Sequence, residues 1–383
     1  MKQVYRIIST YSADVFGVCS ALFELKGMVV IHDPSGCNST YTTHDEPRWY
    51  DADSQIYITG FSEKSALFGD EDRLFDEIIS TVNIQAPKFV CLIGSQMAAL
   101  LGVDLRAVAK RIERAAGICA FALPTDSAHY YTRGIYMAME AVAERFVSSP
   151  ATAKNGSAGE SCINILGCTP LDFPLDAPAS MSKLLQRAGF CVKNCWLRGV
   201  DLNSINDAAA VKANLVVSYG GLGAARVLQR RYKIPYIVGV PWLGLEREIS
   251  AALREASSDE KEPVYLRSEM KPTDKIFIIG ESVLAESLAF WWEKNYRVRP
   301  TVVCPTETER WLLSSQALRP QGEDELKEMI GRAEIIVADP LYEPICPRKA
   351  KFIPWPHAAF SGRMYKMPNL FDEEGFKEMT AGI

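Results

Sequence analysis

Two cysteines near the amino terminus have the residue type and the setting to hold a soft metal. Cys19 lies in the run Gly17 to Gly36 (GVCSALFELKGMVVIHDPSG), an apolar strand over Met28 to Ile31 follows it, and Cys37 closes a Pro-Ser-Gly turn beyond the strand's end. Ligands of parallel α/β sheets bind outside the carboxyl ends of strands, so this turn directs Cys37 toward a functional crevice. Thiolates on loops can hold soft metal or an iron–sulfur cluster because polarizable sulfur suits such iron, and a flanking glycine such as Gly36 lets the backbone approach closely. Spacing alone leaves a second reading open: two cysteines 18 residues apart are more commonly unrelated packing residues.

Other polar groups carry paired readings. His44-Asp45-Glu46-x-Arg48 follows the cysteine turn and offers an acid, a base or a substrate clamp, since proton transfer needs donors within hydrogen-bond reach; the alternative is a solvated loop with internal ion pairs. Cys91, Cys119, Cys162 and Cys304 fall in or beside apolar runs and read as core thiols. Cys191 and Cys195 are four positions apart, but a metal site needs two further ligands nearby, so they read as structural. Gly220-Gly221-x-Gly223 after a strand is compatible with a phosphate cradle, and more so with a plain strand-to-helix connection.

The elements that must position these groups alternate in a regular way. Short Val- and Ile-rich runs predict strands at Lys88–Gly94, Cys162–Gly167, Asn214–Tyr219, Lys275–Gly280, Thr301–Cys304 and Glu334–Ala338, each a continuous apolar stretch of the kind buried on both faces in parallel sheets. Amphipathic spacing predicts helices over Leu105–Ala116, Gly221–Tyr232 and Ser282–Tyr296, where Trp291 and Trp292 read as core. The polar stretches Ser148–Ser161 and Ser257–Lys275 read as boundaries, giving an amino-terminal α/β domain over 1–150, a second Rossmann-like domain over 160–270 and a third over 271–383. A chain of 383 residues, 48% hydrophobic and 23% charged, has ample material for several cores. Its net charge of −5 offers no general attraction for nucleic acid or anionic lipid. No export signal or membrane-length apolar run is present, so a cytoplasmic protein with reduced thiols is expected despite 10 cysteines.

His32 to Cys37 (HDPSGC) resembles the HGPxGC turn of the nitrogenase component 1 superfamily, which includes the catalytic subunits of nitrogenase, their cofactor-assembly homologues and the dark-operative protochlorophyllide reductase and related tetrapyrrole reductases. The similarity continues in order through TGFSEKSALFGDEDRL (59–74), IGSQMAALLGVDLRAV (93–108), LPTDSAHYYTRGIYMAMEAV (123–142), NLVVSYGGLGAARVLQRRYKIPYI (214–237) and IIGESVLAESLAFWWEKNY (278–296). No single segment is decisive, but their colinearity is. The resemblance implies three doubly wound, Rossmann-like α/β domains around a central cleft, paired with an identical or paralogous subunit. It also implies an iron–sulfur cluster at the subunit interface, fed with electrons by an ATP-hydrolysing iron–sulfur reductase protein.

By position, Cys19 and Cys37 match the first two cluster cysteines, while Gln96 stands where the third is expected. Two cysteines from each of two chains suffice for a 4Fe-4S cluster. Ser218 replaces the cysteine that binds nitrogenase's large cofactor, and a serine hydroxyl is a poor substitute for thiolate, which argues against the iron–molybdenum cofactor. His357, in PHAAFSG, is similar to the family's cofactor histidine, with a surface turn as its plain alternative. His129 with Tyr130 and Tyr131 resembles a family loop near the subunit interface, and Trp242 stands where the family places a cleft-lining turn. The resulting expectation is an oxidoreductase component with Cys19 and Cys37 as ligands and His357, His44 and Glu46 handling protons or an unidentified small-molecule or tetrapyrrole-like substrate. A cofactor-assembly scaffold is the alternative, and a cluster-free binding module of the same fold is a third.

Overall fold

The computed structural model describes residues 5–34, 38, 45–50, 54–69, 71–149, 161–256, 264–265 and 270–380. Its strands form three separate sheets. The first contains β1 (Met28–His32), β2 (Gln55–Ile58), β3 (Val90–Gly94) and β4 (Ala120–Leu123) in the order β2-β1-β3-β4. The second contains β5 (Cys162–Leu166), β6 (Cys191–Cys195), β7 (Ala213–Val216), β8 (Tyr236–Val238) and β9 (Val264–Tyr265) in the order β6-β5-β7-β8-β9. The third, β10 (Ile276–Ile279), β11 (Thr301–Val303), β12 (Ile335–Ala338) and β13 (Lys351–Pro354), runs β11-β10-β12-β13.

Every pairing in these ladders is parallel, so the crossovers bury both faces; the central strands are mostly apolar, and the buried Asn164 of β5 donates to Asn214 of β7 at 2.8 Å. Each sheet repeats one topology: its second strand lies outside its first and its third strand inside. Strand order therefore reverses between β1 and β3, between β5 and β7, and between β10 and β12. These are the switch points at which doubly wound sheets leave a crevice for ligands.

Four helices set the relative placement of the sheets. Helix α1 (Asp14–Leu22) is buried along its whole length, as expected of a helix apolar on every side after its first residue. It lies against α2 (Tyr131–Phe146), which in turn lies against α3 (Leu222–Tyr232) of the second unit. Both contacts bring backbone to backbone. A Cβ added at Gly134 of α2 would stand 2.0 Å from the Asp14 carbonyl oxygen, and one added at Gly223 of α3 would stand 2.1 Å from the Tyr136 carbonyl oxygen. Only glycine permits these approaches.

The third unit is held differently. Its helix α4 (Ser282–Tyr296) is capped by the Glu281 carboxylate, and Glu323 accepts the backbone N–H groups of Arg6, Ile7 and Ile8 at 2.9, 2.7 and 3.1 Å. This part of the fold is fastened to the amino terminus by polar bonds.

Candidate functional site

The strand ends of the second and third sheets face each other across a small cavity lined by Tyr11, Asp172, Glu281, Asp339, Trp355 and His357. Its volume of about 10 Å³ leaves room for roughly one water molecule. Asp172 follows β5, Glu281 follows β10, Asp339 follows β12 and His357 follows β13, so the topology brings four titratable groups to one place. The amino-terminal unit adds the rings of Tyr11 and Tyr131.

Asp172 is the common acceptor at this junction. It receives the Tyr131 hydroxyl at 2.5 Å and faces Nε2 of His357 at 2.7 Å, with 3.2 Å between that nitrogen and the Tyr131 oxygen. A ring nitrogen facing a carboxylate carries the hydrogen, so the bond fixes the tautomer of His357. The backbone N–H of His357 donates to Asp339 at 2.7 Å, and the Ser361 hydroxyl donates to the same carboxylate oxygen at 2.7 Å. Tyr11 presents its ring edge-on to the imidazole at 5.4 Å. Burial first, and then the negative charge of Asp172, push the Tyr131 phenol well above its usual range.

Glu281 has a double task. One carboxylate oxygen accepts the Val283 and Leu284 N–H groups, and the other accepts the Tyr219 N–H and the Ser282 hydroxyl, so it caps α4 and ties it to the second sheet's switch point. Complete burial, with Asp172 next in weight, raises its pKa to about 7 against these bonds. Glu281 thus shares the junction with an imidazole, a second carboxylate and a phenol, a grouping of the kind that can exchange protons.

The sequence-stated candidates are distributed unequally around this centre. His357 lies in it. Cys19 does not: its side chain is 1% exposed, on the fully buried α1. Burial, followed by the proximity of Cys91 and Glu46, pushes its thiol well above the ordinary range. Cys37, Gly36 and His44 lie outside the described residues.

Glu46 departs from the expectation of substrate or proton handling because Arg48 engages it. The Arg48 Nε donates to Glu46 at 2.6 Å, while its other nitrogens reach Glu24 and the carbonyls of Leu197 and Ser20 at 3.1, 2.9 and 2.6 Å. Both side chains are fully buried, so this is a strut between α1 and the second unit. Gln96 begins a short helix (Gln96–Leu101) and is exposed. Ser218 donates its hydroxyl to the Gly167 carbonyl at 2.7 Å, closing a turn. Trp242 is buried behind the cavity wall, edge-on to Trp355 at 6.5 Å. The glycines from 220 to 223 serve close packing: a Cβ on Gly221 would stand 2.4 Å from the Leu166 carbonyl oxygen. His129 pairs with Glu307 at 3.3 Å on a partly exposed loop.

Asp172, Glu281, Asp339 and Tyr11 escaped the sequence reading. Each carboxylate stands just beyond an apolar run, which is the signal a strand-end search would use; which strand ends face one another is decided only by the fold.

The model of the family described as nitrogenase component 1 type oxidoreductase matches residues 14–275. The chain belongs to this family. Among curated proteins, it is 28% identical over 253 residues to the nitrogenase iron-molybdenum cofactor biosynthesis protein NifE of Sinorhizobium fredii, covering 64% of this chain and 47% of that protein. It is 26% identical over 138 residues to component CfbD of the Ni-sirohydrochlorin a,c-diamide reductive cyclase complex of Methanothermobacter thermautotrophicus, covering 33% of this chain and 36% of the relative. The chain thus spans about half the length of the first of these relatives. Among solved structures, nitrogenase Cp1 at pH 6.5 superposes over 100% of this chain and 94% of its own with a TM-score of 0.72 and 16% identity, a likeness of fold.

The family resemblance implies an iron–sulfur cluster; of its two expected ligands, Cys19 is buried on α1 and Cys37 lies outside the described residues. Among the described residues no group of three or more histidine, cysteine, aspartate or glutamate side chains stands close enough to hold a metal ion. No helix among the described residues is long and apolar enough to cross a membrane.

Proposed function

We propose that this chain is a ligand-holding component of the nitrogenase component 1 type, acting in cofactor assembly. It presents His357, Asp172 and Glu281 at the junction of its second and third sheets for proton exchange with a cofactor precursor bound beside them. The observation that supports this reading is the donor set at the junction. It consists of carboxylate, imidazole and phenol groups, and Ser218, at the position of the family's cofactor cysteine, is engaged with the Gly167 carbonyl. A ligand held by such donors leaves without rupture of a metal–thiolate bond, which suits a component that receives and passes on its cargo. The similarity to cofactor biosynthesis proteins agrees with this assignment.

A second reading is favoured by Glu281, whose pKa of about 7 suits proton-coupled reduction of an unsaturated, tetrapyrrole-like substrate. In that case a partner subunit and an ATP-hydrolysing iron–sulfur protein supply the electrons. Anaerobic purification with iron and acid-labile sulfide analysis, followed by ATP and a reduced iron protein of this family, separates the readings. A bound and transferable metallocluster without turnover is the expected result; ATP-dependent turnover selects the reductase, and a protein that carries no cluster overturns both in favour of a binding module. The interface 4Fe-4S cluster at Cys19 and Cys37 is tested by the iron content of Cys19→Ala and Cys37→Ala.

A further inference from the structure

Glu281 is 1% exposed, so a proton from solvent reaches its carboxylate only through other groups. Two hydroxyls stand in line behind it. Ser282, the first residue of α4, is fully buried and donates to Glu281 Oε1 at 2.7 Å. Thr308, in the loop that follows β11, is partly exposed and donates to the Ser282 oxygen at 2.8 Å. The third sheet makes this line possible: β10 and β11 pair in parallel, so the residues beyond their carboxyl ends lie side by side.

The direction of the bonds follows from the hydrogens available. A hydroxyl has one hydrogen to give, and that of Ser282 is committed to the carboxylate, so its oxygen accepts from Thr308. Both hydrogens therefore point inward, from the partly exposed loop to the junction. The remaining hydrogen-bond partners of Glu281 among the described residues are the backbone N–H groups of Tyr219, Val283 and Leu284. An amide N–H donates but does not accept a replacement proton, so none of these passes one on. On its inner side the carboxyl group faces the junction shared by Asp172, Asp339, His357 and Tyr11.

From this alignment we infer that Thr308 and Ser282 are the proton relay of Glu281, carrying protons between solvent and the carboxylate at the junction. The inference rests on the reading of Glu281 as a proton exchanger and adds the route by which it is recharged. Each passage is balanced. A hydronium ion at the loop surface gives a proton to the Thr308 oxygen as Thr308 releases its own hydrogen to Ser282, and Ser282 releases its hydrogen to Glu281 Oε1. The sum is one proton taken from solvent and one carboxylate converted to a carboxylic acid, with no electron moved. Rotation of the two hydroxyls about their C–O bonds resets the line. With a pKa of about 7, Glu281 populates both forms near neutrality, so the same line discharges it when the hydroxyls are reversed.

The test is a pH jump across about pH 7 on the whole purified protein, followed by time-resolved infrared spectroscopy of the carboxylic acid carbonyl, which a carboxylate lacks. The Glu281 band is identified by its loss in Glu281→Gln. In Thr308→Val, which keeps the shape of the side chain and removes the hydroxyl, the band is expected to rise on the order of a hundredfold more slowly and to reach its full amplitude. Ser282→Ala is expected to slow it too, and to raise the midpoint of the titration because a hydrogen bond to the charged form is lost. Thr308→Ser is expected to restore the wild-type rate, which a merely structural role for the threonine would not require. A wild-type rate in Thr308→Val overturns the relay and leaves Glu281 a proton exchanger. A wild-type protein that shows no Glu281 band overturns both. Thr308 is partly exposed, so its valine variant decides the matter even where Ser282→Ala fails to fold.

Discussion

The surroundings of Cys19 and the cavity at His357 are both buried, both contain ionisable side chains, and both attract attention in the sequence, yet they are built for different ends. Around Cys19 the neighbours are the hydrocarbon of α1 and its contacts, with Arg48 held by Glu46, Glu24 and backbone carbonyls. Around His357, groups from three separate parts of the chain meet at strand ends and share hydrogens through Asp172. What separates a strut from a site is whether the polar groups converge on space or only on each other.

The sharpest way to break this contrast is to remove the central group of each region. Arg48→Ala leaves Glu46 buried without its partner and is expected to cost about 4 kcal/mol of stability in denaturant unfolding, without changing the ligand affinity of the molecules that remain folded. Asp172→Ala orphans a buried imidazole and a buried phenol, and is expected to cost about 3 kcal/mol and to abolish ligand binding as well. If Arg48→Ala lowers affinity as much as Asp172→Ala does, the two regions are one site.

Titration of Glu281 sharpens the comparison next. Its pKa is raised from 4.5 to about 7 in the folded protein, so between these values the native state binds the extra proton and stability falls as pH rises. A loss on the order of 2 to 3 kcal/mol is expected across that window, and Glu281→Gln should flatten the profile. A profile unchanged by the substitution would show that Glu281 is not buried as described.

Cys19→Ala comes third. As the loss of a small core group it is expected to cost roughly 1 kcal/mol and to leave iron content unaltered; a fall in bound iron would return Cys19 to the ligand set. Gln96→Ala, on an exposed helix, is expected to move stability by less than about 0.5 kcal/mol and iron content not at all.

Much of the scaffold was legible in the chain itself. The runs at 88–94, 162–167, 275–280, 301–304 and 334–338 contain β3, β5, β10, β11 and β12, because strands covered on both faces need uninterrupted apolar side chains. Helix Leu105–Ala116 has the expected bounds, with Asp104 capping it, and Ser282–Tyr296 is α4. The strand expected over Asn214–Tyr219 leaves its ladder after Val216, where Ser218 turns the chain. Strands β2, β4, β6, β8, β9 and β13 were not read: β2, β6 and β13 lie at sheet edges and mix polar with apolar positions, while β4, β8 and β9 are runs of only two to four residues, too short to stand out. The site was less legible than the scaffold. His357 was singled out by its motif, but Asp172 and Glu281 are lone carboxylates in loops far apart along the chain. Cys19 illustrates the converse: nothing local distinguishes a cysteine aimed at an interface from one turned into a core.

The glycine contacts of α2 carry a last implication. With Gly134 against the Asp14 backbone and Gly223 against that of Tyr136, the first two units are interlocked and offer no hinge. Any side chain at either position must part these backbones, so the placement of the first two units rests on two missing methyl groups.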